Sequence, residues 1–311
     1  MFKAGCYKRA LVAGARVNAL ASTETVPPGP EKIINAPDKH DITPRMAASS
    51  YLNTAPLIWS FTRGTRRGAV KIVDAVPARC ADLLGQSEVD VALVPIIEYQ
   101  RLPNVTVSPG VCVGSRERVR SVVLVTKAEK LHDLRRIALD KSSRTSAALL
   151  RIIFREFVGF EPEWISRTTD VEKALADNEG ALIIGDPAMT FARAGLQLFD
   201  LAALWRGYTG LGFVFAMWLL RDEAPRAARL IDFAGARDEG LARVAEITDY
   251  YENSLGLSRA ELEIYLRENI SFSVDDGMRA GMELYFTLAR KHGIIAAVKS
   301  LKFVEPEQEA Y

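Results

Sequence analysis

A two-lobed α/β fold with a ligand cleft between the lobes is what this sequence predicts, on three observations. Short β-rich runs alternate with segments of helical period from Met46 onward. Each run ends in residues that start helices. The order of the runs also crosses between two groups twice, which implies a hinge and a closing cleft.

The first run, Met46 to Leu52, leads into Asn53-Thr54-Ala55-Pro56. Asparagine or threonine can cap the next helix there, and proline suits its first turn. Val70 to Val76 ends in Pro77, with Ala78 to Leu84 continuing as helix. Asp90 to Val94 ends in Pro95, followed by Ile96-Ile97-Glu98-Tyr99. Ile137 to Asp140 leads into Ser142-Ser143-Arg144-Thr145-Ser146 and a helix through Phe157. Ala181 to Ile184 ends in Gly185-Asp186-Pro187, an aspartate cap with proline after it. The strand Gly212 to Leu220 comes next, and the remainder is helical, around Leu241–Tyr251, Ala260–Glu268 and Gly277–His292. Ser273 to Asp276 reads as the cap of the last of these.

The expected organisation is one lobe from 46–126 plus 209–311, and a second from 127–208. Each junction lies at the carboxyl end of a strand, where open α/β sheets bind ligands. Helix amino termini there offer unpaired N–H groups and a positive dipole end, which favour anions.

Composition narrows the partners. Forty Lys and Arg against 39 Asp and Glu leave no global field to recruit nucleic acid or an acidic membrane. Cys6, Cys80 and Cys112 are scattered with no CxxC spacing, and His40, His132 and His292 form no HxxxH pair. No metal or other cofactor is therefore expected, and a reducing cytoplasm is the expected compartment. The apolar run Leu211 to Leu220 is shorter than the roughly 20 residues that cross a bilayer. It reads as a buried strand, so no membrane partner is expected.

Residues 1–45 differ from the rest. Pro27, Pro28, Gly29, Pro30, Pro37 and Pro44 break any element. Lys3, Lys8 and Arg9 precede an apolar stretch as in a secretion signal, but Arg16 and Asn18 interrupt it. The segment is expected to be a disordered extension, with Met46 a natural start of the folded chain.

The junctions carry a resemblance. Ser50-Tyr51-Leu52-Asn53-Thr54-Ala55-Pro56-Leu57, Asp90-Val91-Ala92-Leu93-Val94-Pro95 with Glu98-Tyr99, and Ser142-Ser143-Arg144-Thr145-Ser146 are three of its segments. Leu182-Ile183-Ile184-Gly185-Asp186 and Thr209-Gly210-Leu211-Gly212-Phe213-Val214-Phe215-Ala216 complete it. Five segments in order, from about Met46 to the C-terminus, resemble the menaquinone-pathway enzymes of the futalosine route, and within them the chorismate dehydratases. Two departures stand out: Gly212 where that pattern has proline, and Ile96 where a serine often follows the proline. The second removes a hydroxyl contact from that loop. The resemblance implies the type II periplasmic-binding-protein fold and a small dicarboxylate substrate, chorismate. The implied reaction is loss of the C4 hydroxyl and a ring proton to give 3-(1-carboxyvinyloxy)benzoate and water.

Under that resemblance Asn53 is the first candidate for catalysis: its amide donates to the departing hydroxyl or holds a carboxylate, but cannot act as a base. Its alternative is a helix cap. Ser142, Ser143, Thr145 and Ser146 offer hydroxyls for substrate, and Arg144 a bidentate carboxylate contact. Asp186 is either an ordinary cap or, with a raised pKa, an acid. Thr209 and Gly210 are expected at a hinge or cleft wall, whereas Tyr51 and Trp218 read as core. With no histidine in these segments, the proton goes to Asp186 or to the substrate's own enolpyruvyl carboxylate, and the second is preferred. The rivals are the sibling lyase acting on cyclic dehypoxanthine futalosine, which is expected to need a cleft histidine, and a non-catalytic carboxylate-binding protein, which wants a stronger signal peptide. Oligomeric state is not legible.

Overall fold

A computed structural model describes residues 43–167 and 171–304 of the chain. The expectation of disorder at 1–45 therefore lies outside the described residues up to 42. β1 (Arg45–Ala48), α1 (Ala55–Thr62), β2 (Lys71–Asp74), α2 (Pro77–Gly85) and β3 (Val91–Pro95) open the fold, followed by a 3-10 turn at Ile96–Gln100 and the long β4 (Val105–Ser115). Next come β5 (Val122–Thr126), β6 (Arg136–Asp140), α3 (Arg144–Ile152), β7 (Glu163–Arg167), α4 (Val171–Ala176), β8 (Gly180–Ile184), α5 (Pro187–Thr190), β9 (Gln197–Asp200) and α6 (Leu201–Thr209). β10 (Phe213–Arg221) is followed by α7 (Arg226–Arg229), α8 (Phe233–Ala242), α9 (Val244–Leu255), α10 (Arg259–Ile264), β11 (Ser271–Ser273) and α11 (Asp276–Lys291). Proline occupies the first turn of α1, α2 and α5, where its missing N–H has no intrahelical partner to lose.

Two sheets result: six strands in the order β11-β4-β10-β3-β1-β2, and five in the order β7-β6-β8-β5-β9. The parallel pairing expected from strand–helix alternation holds for β2-β1-β3 and for β7-β6-β8. Elsewhere the sheets are antiparallel: β10 pairs with β3 and β4, β11 with β4, and β5 with β8 and β9. The reason is connectivity. A crossover helix returns the chain to run parallel, and α1, α2, α3 and α4 supply those crossovers, whereas the antiparallel β5 and β10 each enter their sheet from the other one.

β5 also moves the expected lobe boundary. It lies inside the second sheet, so the first crossing falls at 116–121 and not after Thr126. β10 makes the return crossing and is inserted between β3 and β4. Its residues Phe213, Val214, Phe215, Met217, Trp218, Leu219 and Leu220 are all buried, which accounts for the unbroken apolar run. Among the described residues no helix is long and apolar enough to cross a membrane.

The last helices are capped as their sequences direct. Ser258 and Glu261 form a capping box on α10, and Asp275 Oδ1 accepts the Met278 N–H at 2.8 Å at the start of α11. Met278 is fully buried between Gly114 on β4 and Gly212 before β10. A Cβ on Gly212 would lie 2.7 Å from Met278 Cγ, and a Cβ on Gly281 would run into the Gly212 carbonyl. Close seating of α11 on this crossing thus accounts for glycine at 212 where proline was expected.

Candidate active site

The strand ends of both sheets face one cavity of about 530 Å³, measured out to its mouth. From the first sheet come Ser49, Tyr51, Asn53 and Thr54 after β1, Pro77 after β2, Leu93 and Pro95 on β3, Val113 on β4, and Phe215 and Ala216 on β10. The second sheet supplies Val122 on β5, Ser143, Thr145 and Ser146 after β6, and Ile184 and Gly185 after β8. Polar groups are few and sit at two opposed loops, while the floor is apolar. That is the usual composition of a small-molecule site.

The loop after β1 is built by its own hydrogen bonds. Thr54 N–H and Ala55 N–H donate to the Tyr51 and Leu52 carbonyls at 2.9 and 3.1 Å. Thr54 occupies the N-cap of α1 but makes no side-chain cap bond. Its hydroxyl instead lies 3.1 Å from Ser49 Oγ and donates to Asn53 Oδ1 at 3.3 Å. Asn53 is therefore not the cap of α1. Its carbonyl oxygen is engaged locally, and its side chain lies on the cavity wall.

On the opposite side, Asp140 at the end of β6 accepts both the N–H and the hydroxyl of Ser142, at 2.8 and 2.7 Å. This folds the chain into the N-cap of α3, where Ser143 makes no side-chain cap bond and faces the cavity. Burial raises the pKa of the Asp140 carboxyl, against the two Ser142 hydrogen bonds that lower it. Tyr51 leans across to this side: a Cβ on Gly185 would come within 2.8 Å of its ring. Gly185 has φ of +67°, so both its conformation and its contact with Tyr51 require glycine. Burial, reinforced by Asp140, Asp186 and Asp74, pushes the Tyr51 phenol up to about 12.

The structure separates the other candidates. Ser143, Thr145 and Ser146 join Asn53 at the cavity, but Ser142, Arg144, Asp186, Thr209 and Gly210 are not among its lining residues. The Ser142 hydroxyl is held by Asp140. Arg144, expected to bind a carboxylate of the substrate, has its two arms on Glu98 and Asp82. Asp186 Oδ1 accepts the Leu52 N–H at 3.0 Å and makes no cap bond to α5, although burial lifts its pKa to about 6. Thr209 and Gly210 end α6: the Thr209 hydroxyl donates to the Trp205 carbonyl at 2.8 Å, and Gly210 takes the left-handed conformation with φ of +72°. Ile96 is fully buried off the cavity wall.

Sequence reasoning placed Tyr51 in the core, and here the structure corrects it: the ring is half-buried and lines the cavity. Its position two residues before Asn53 at a strand end was the available signal. Trp218 is core, stacked on Phe233 with ring centroids 4.9 Å apart. Phe215, Ala216 and Val113 were hidden because the floor is set by antiparallel pairing between distant strands.

Among the described residues, His132 and His292 lie off the cavity wall, and His292 Nε2 is 2.7 Å from Glu156. Cys80 and Cys112 are buried thiols, each pushed up to about 12 by burial.

Two mixed sheets with a strand-end cavity between them define the periplasmic-binding-protein-like class of α/β folds, and solved structures agree. A protein from Archaeoglobus fulgidus superposes with a TM-score of 0.68 at 20% identity, covering 82% of this chain and all of that one. A Candida albicans gene product described as having the generic periplasmic binding protein fold gives 0.58 at 12% identity, covering 86% and 99%. The aliphatic sulphonate binding protein of Escherichia coli gives 0.54 at 15% identity, covering 86% and 95%.

Sequence comparison narrows the class. The chain belongs to the menaquinone biosynthesis family, whose model matches residues 44–291. A chorismate dehydratase from Thermus thermophilus is 32% identical to it over 254 residues, 76% of this chain and 91% of that protein.

Proposed function

We propose that this protein is a chorismate dehydratase, a carbon–oxygen hydro-lyase that converts chorismate to 3-(1-carboxyvinyloxy)benzoate and water in menaquinone biosynthesis. One observation supports the reading within the family: Asn53 lines the same largely apolar cavity as Ser143, Thr145 and Ser146. Chorismate has two carboxylates, a cyclohexadiene ring and a leaving hydroxyl, and the cavity offers polar groups for one carboxylate and the hydroxyl and apolar walls for the ring.

The hydroxyls of Ser143, Thr145 and Ser146, with the N–H groups at the start of α3, hold one carboxylate. The apolar walls of Leu93, Val113, Ile184 and Phe215 flank the ring and exclude water. Asn53 Nδ2 donates a hydrogen bond to the C4 hydroxyl as it departs, where negative charge develops. The ring C–H proton passes to the substrate's enolpyruvyl carboxylate, which is tethered beside it. The C–H electron pair enters the ring as the C4–O bond breaks, and the departing hydroxide takes that proton from the carboxylate and leaves as water, restoring the carboxylate. Aromatisation makes the step downhill, so the protein's work is to hold a reactive pose.

Asp186 has a carboxyl of suitable acidity but lies off the cavity wall with one oxygen bonded to Leu52. That favours substrate assistance over an aspartate base. The free thiols of Cys80 and Cys112 suit a reducing compartment, and we assign the reaction to the cytoplasm.

Incubating the purified chain with chorismate tests the proposal. The expected result is stoichiometric appearance of the enolpyruvyl benzoate by mass spectrometry. Saturable chorismate binding with no product would support a carboxylate carrier instead, an activity closer to that of the sulphonate binding protein that shares the fold.

A further inference from the structure

The two sheet units share one hydrophobic core and are also joined by polar contacts, among them Tyr285 Oη to the Thr145 carbonyl at 3.1 Å and a group centred on Arg144. On one flank of the cavity, Arg144 at the first residue of α3 reaches to the other unit with both arms: Nη1 to Glu98 Oε2 at 2.9 Å and Nη2 to Asp82 Oδ1 at 2.7 Å. Beside it, Ala78 N–H donates to the Ser142 carbonyl at 3.1 Å, and Ile97 N–H donates to Thr145 Oγ1 at 3.2 Å. On the opposite flank, Leu52 N–H donates to Asp186.

We propose that Arg144 is a positioning residue that latches the lobes together, so that closure and assembly of the carboxylate-holding hydroxyls are one event. The inference rests on the reading of the cavity as a carboxylate site.

The chemistry of the triad supports it. Glu98 is only 5% exposed in its side chain and is shared between Arg144 and Arg101, whose Nη1 lies 2.6 Å from Oε1. A carboxylate so withdrawn from water is tolerable only while its cations are in place. Separating the lobes would remove one cation and return Glu98 and Asp82 to water, so the cost of opening falls on this triad. Arg144 faces two carboxylates and has no unmatched charge to offer a substrate anion, which separates its role from that of a ligand. Its neighbours Ser143, Thr145 and Ser146 do line the cavity. A shift of the α3 start by an ångström therefore moves three of the polar contacts together, a displacement that positioned catalysis does not tolerate.

The test uses the full chain with Arg144→Gln, Arg144→Lys and Glu98→Gln. Small-angle scattering without ligand reports closure, and steady-state kinetics with chorismate report its consequence. For Arg144→Gln we expect a larger radius of gyration than the wild type, returning to the wild-type value at saturating chorismate. We also expect KM to rise about tenfold, the effect of roughly 1.4 kcal/mol, with kcat within about threefold. Arg144→Lys, which keeps one charged contact, should recover part of both changes. An unchanged radius with an unchanged KM would overturn the latch, even if the melting temperature fell. So would a loss of kcat at constant KM, which would make Arg144 part of the chemistry. Glu98→Gln approaches the same contact from the other lobe and decides the matter should Arg144→Gln fail to fold. If the wild type does not turn chorismate over, the functional reading fails, while the scattering comparison still decides the latch.

Discussion

The carboxylate of Asp186 takes the backbone N–H of Leu52 at 3.0 Å, so the residue beside Gly185 on one side of the cavity holds the residue beside Asn53 on the other. The contact spans 134 residues of sequence. It turns a motif that looks like ordinary helix capping into a tie between two walls of the site.

Asp186 should make stability depend on pH. Burial raises its pKa from 3.8 to about 6, so the folded state holds the proton more tightly than the unfolded chain. The contribution is therefore full below about pH 4 and is lost as pH rises through about 6. Asp186→Asn keeps an oxygen for the Leu52 N–H and removes the titration. Urea denaturation should show the variant losing less stability than the wild type between pH 4 and 7, by on the order of 1 to 2 kcal/mol. Turnover should persist in the variant. If kcat vanished while affinity for chorismate stayed intact, Asp186 and not the substrate would be the base.

Asn53→Ala should lower kcat roughly a hundredfold, the usual loss for one donor aimed at developing negative charge. Asn53 does not cap α1, but its side chain bonds the Thr54 hydroxyl and the buried Tyr265 phenol, so the melting temperature should fall modestly while kcat falls far more. A large fall in stability with modest kinetic loss would return Asn53 to a structural role.

Gly185→Ala puts a methyl group within 2.8 Å of the Tyr51 ring at a backbone φ of +67°. Backbone strain alone should cost about 1 kcal/mol or more. The displaced Tyr51 should also weaken chorismate binding, measured by calorimetry. Binding equal to the wild type would mean that the ring is not part of the wall.

The departure at Gly212 can be read by a double-mutant cycle. Gly212→Pro should cost about 1 to 3 kcal/mol through overpacking against Met278. Met278→Ala in the same chain should recover part of that loss, giving a coupling well beyond additivity. Strict additivity in urea denaturation would refute the packing account.

Arg45 makes the folded chain begin before Met46. Its Nη2 and Nε bond Asp90 Oδ1 and Oδ2 at 2.7 and 3.1 Å, and its own N–H bonds Oδ2 at 2.9 Å. Shortening the chain to begin at Met46 leaves the nearly buried Asp90 carboxylate without this partner. Such a chain should be about 3 kcal/mol less stable than one beginning at Thr43. Equal stability would mean that water or another cation replaces Arg45.

Much of the site was legible because strand ends and helix starts are local events. Pro56, Pro77 and Pro187 punctuate helices through a fixed φ and a missing N–H, and they mark the loops from which Asn53, Pro77 and Gly185 face the cavity. The apolar run of β10 was legible as a buried strand, since such a run must be covered on both faces, and the order of elements suggested its return to the first lobe, where β10 lies between β3 and β4.

What the tertiary structure decided is where side chains of one motif point once a second lobe faces them. Ser143, Arg144 and Thr145 are consecutive, yet two line the cavity and the third reaches Glu98 and Asp82. Likewise Tyr51 became a wall residue because Gly185, remote in sequence, leaves room for its ring. Capping and periodicity are set within a few residues, whereas ion pairs, antiparallel partners and cavity floors depend on which distant segments meet. That meeting is determined by the packing of the whole chain, which no local pattern contains.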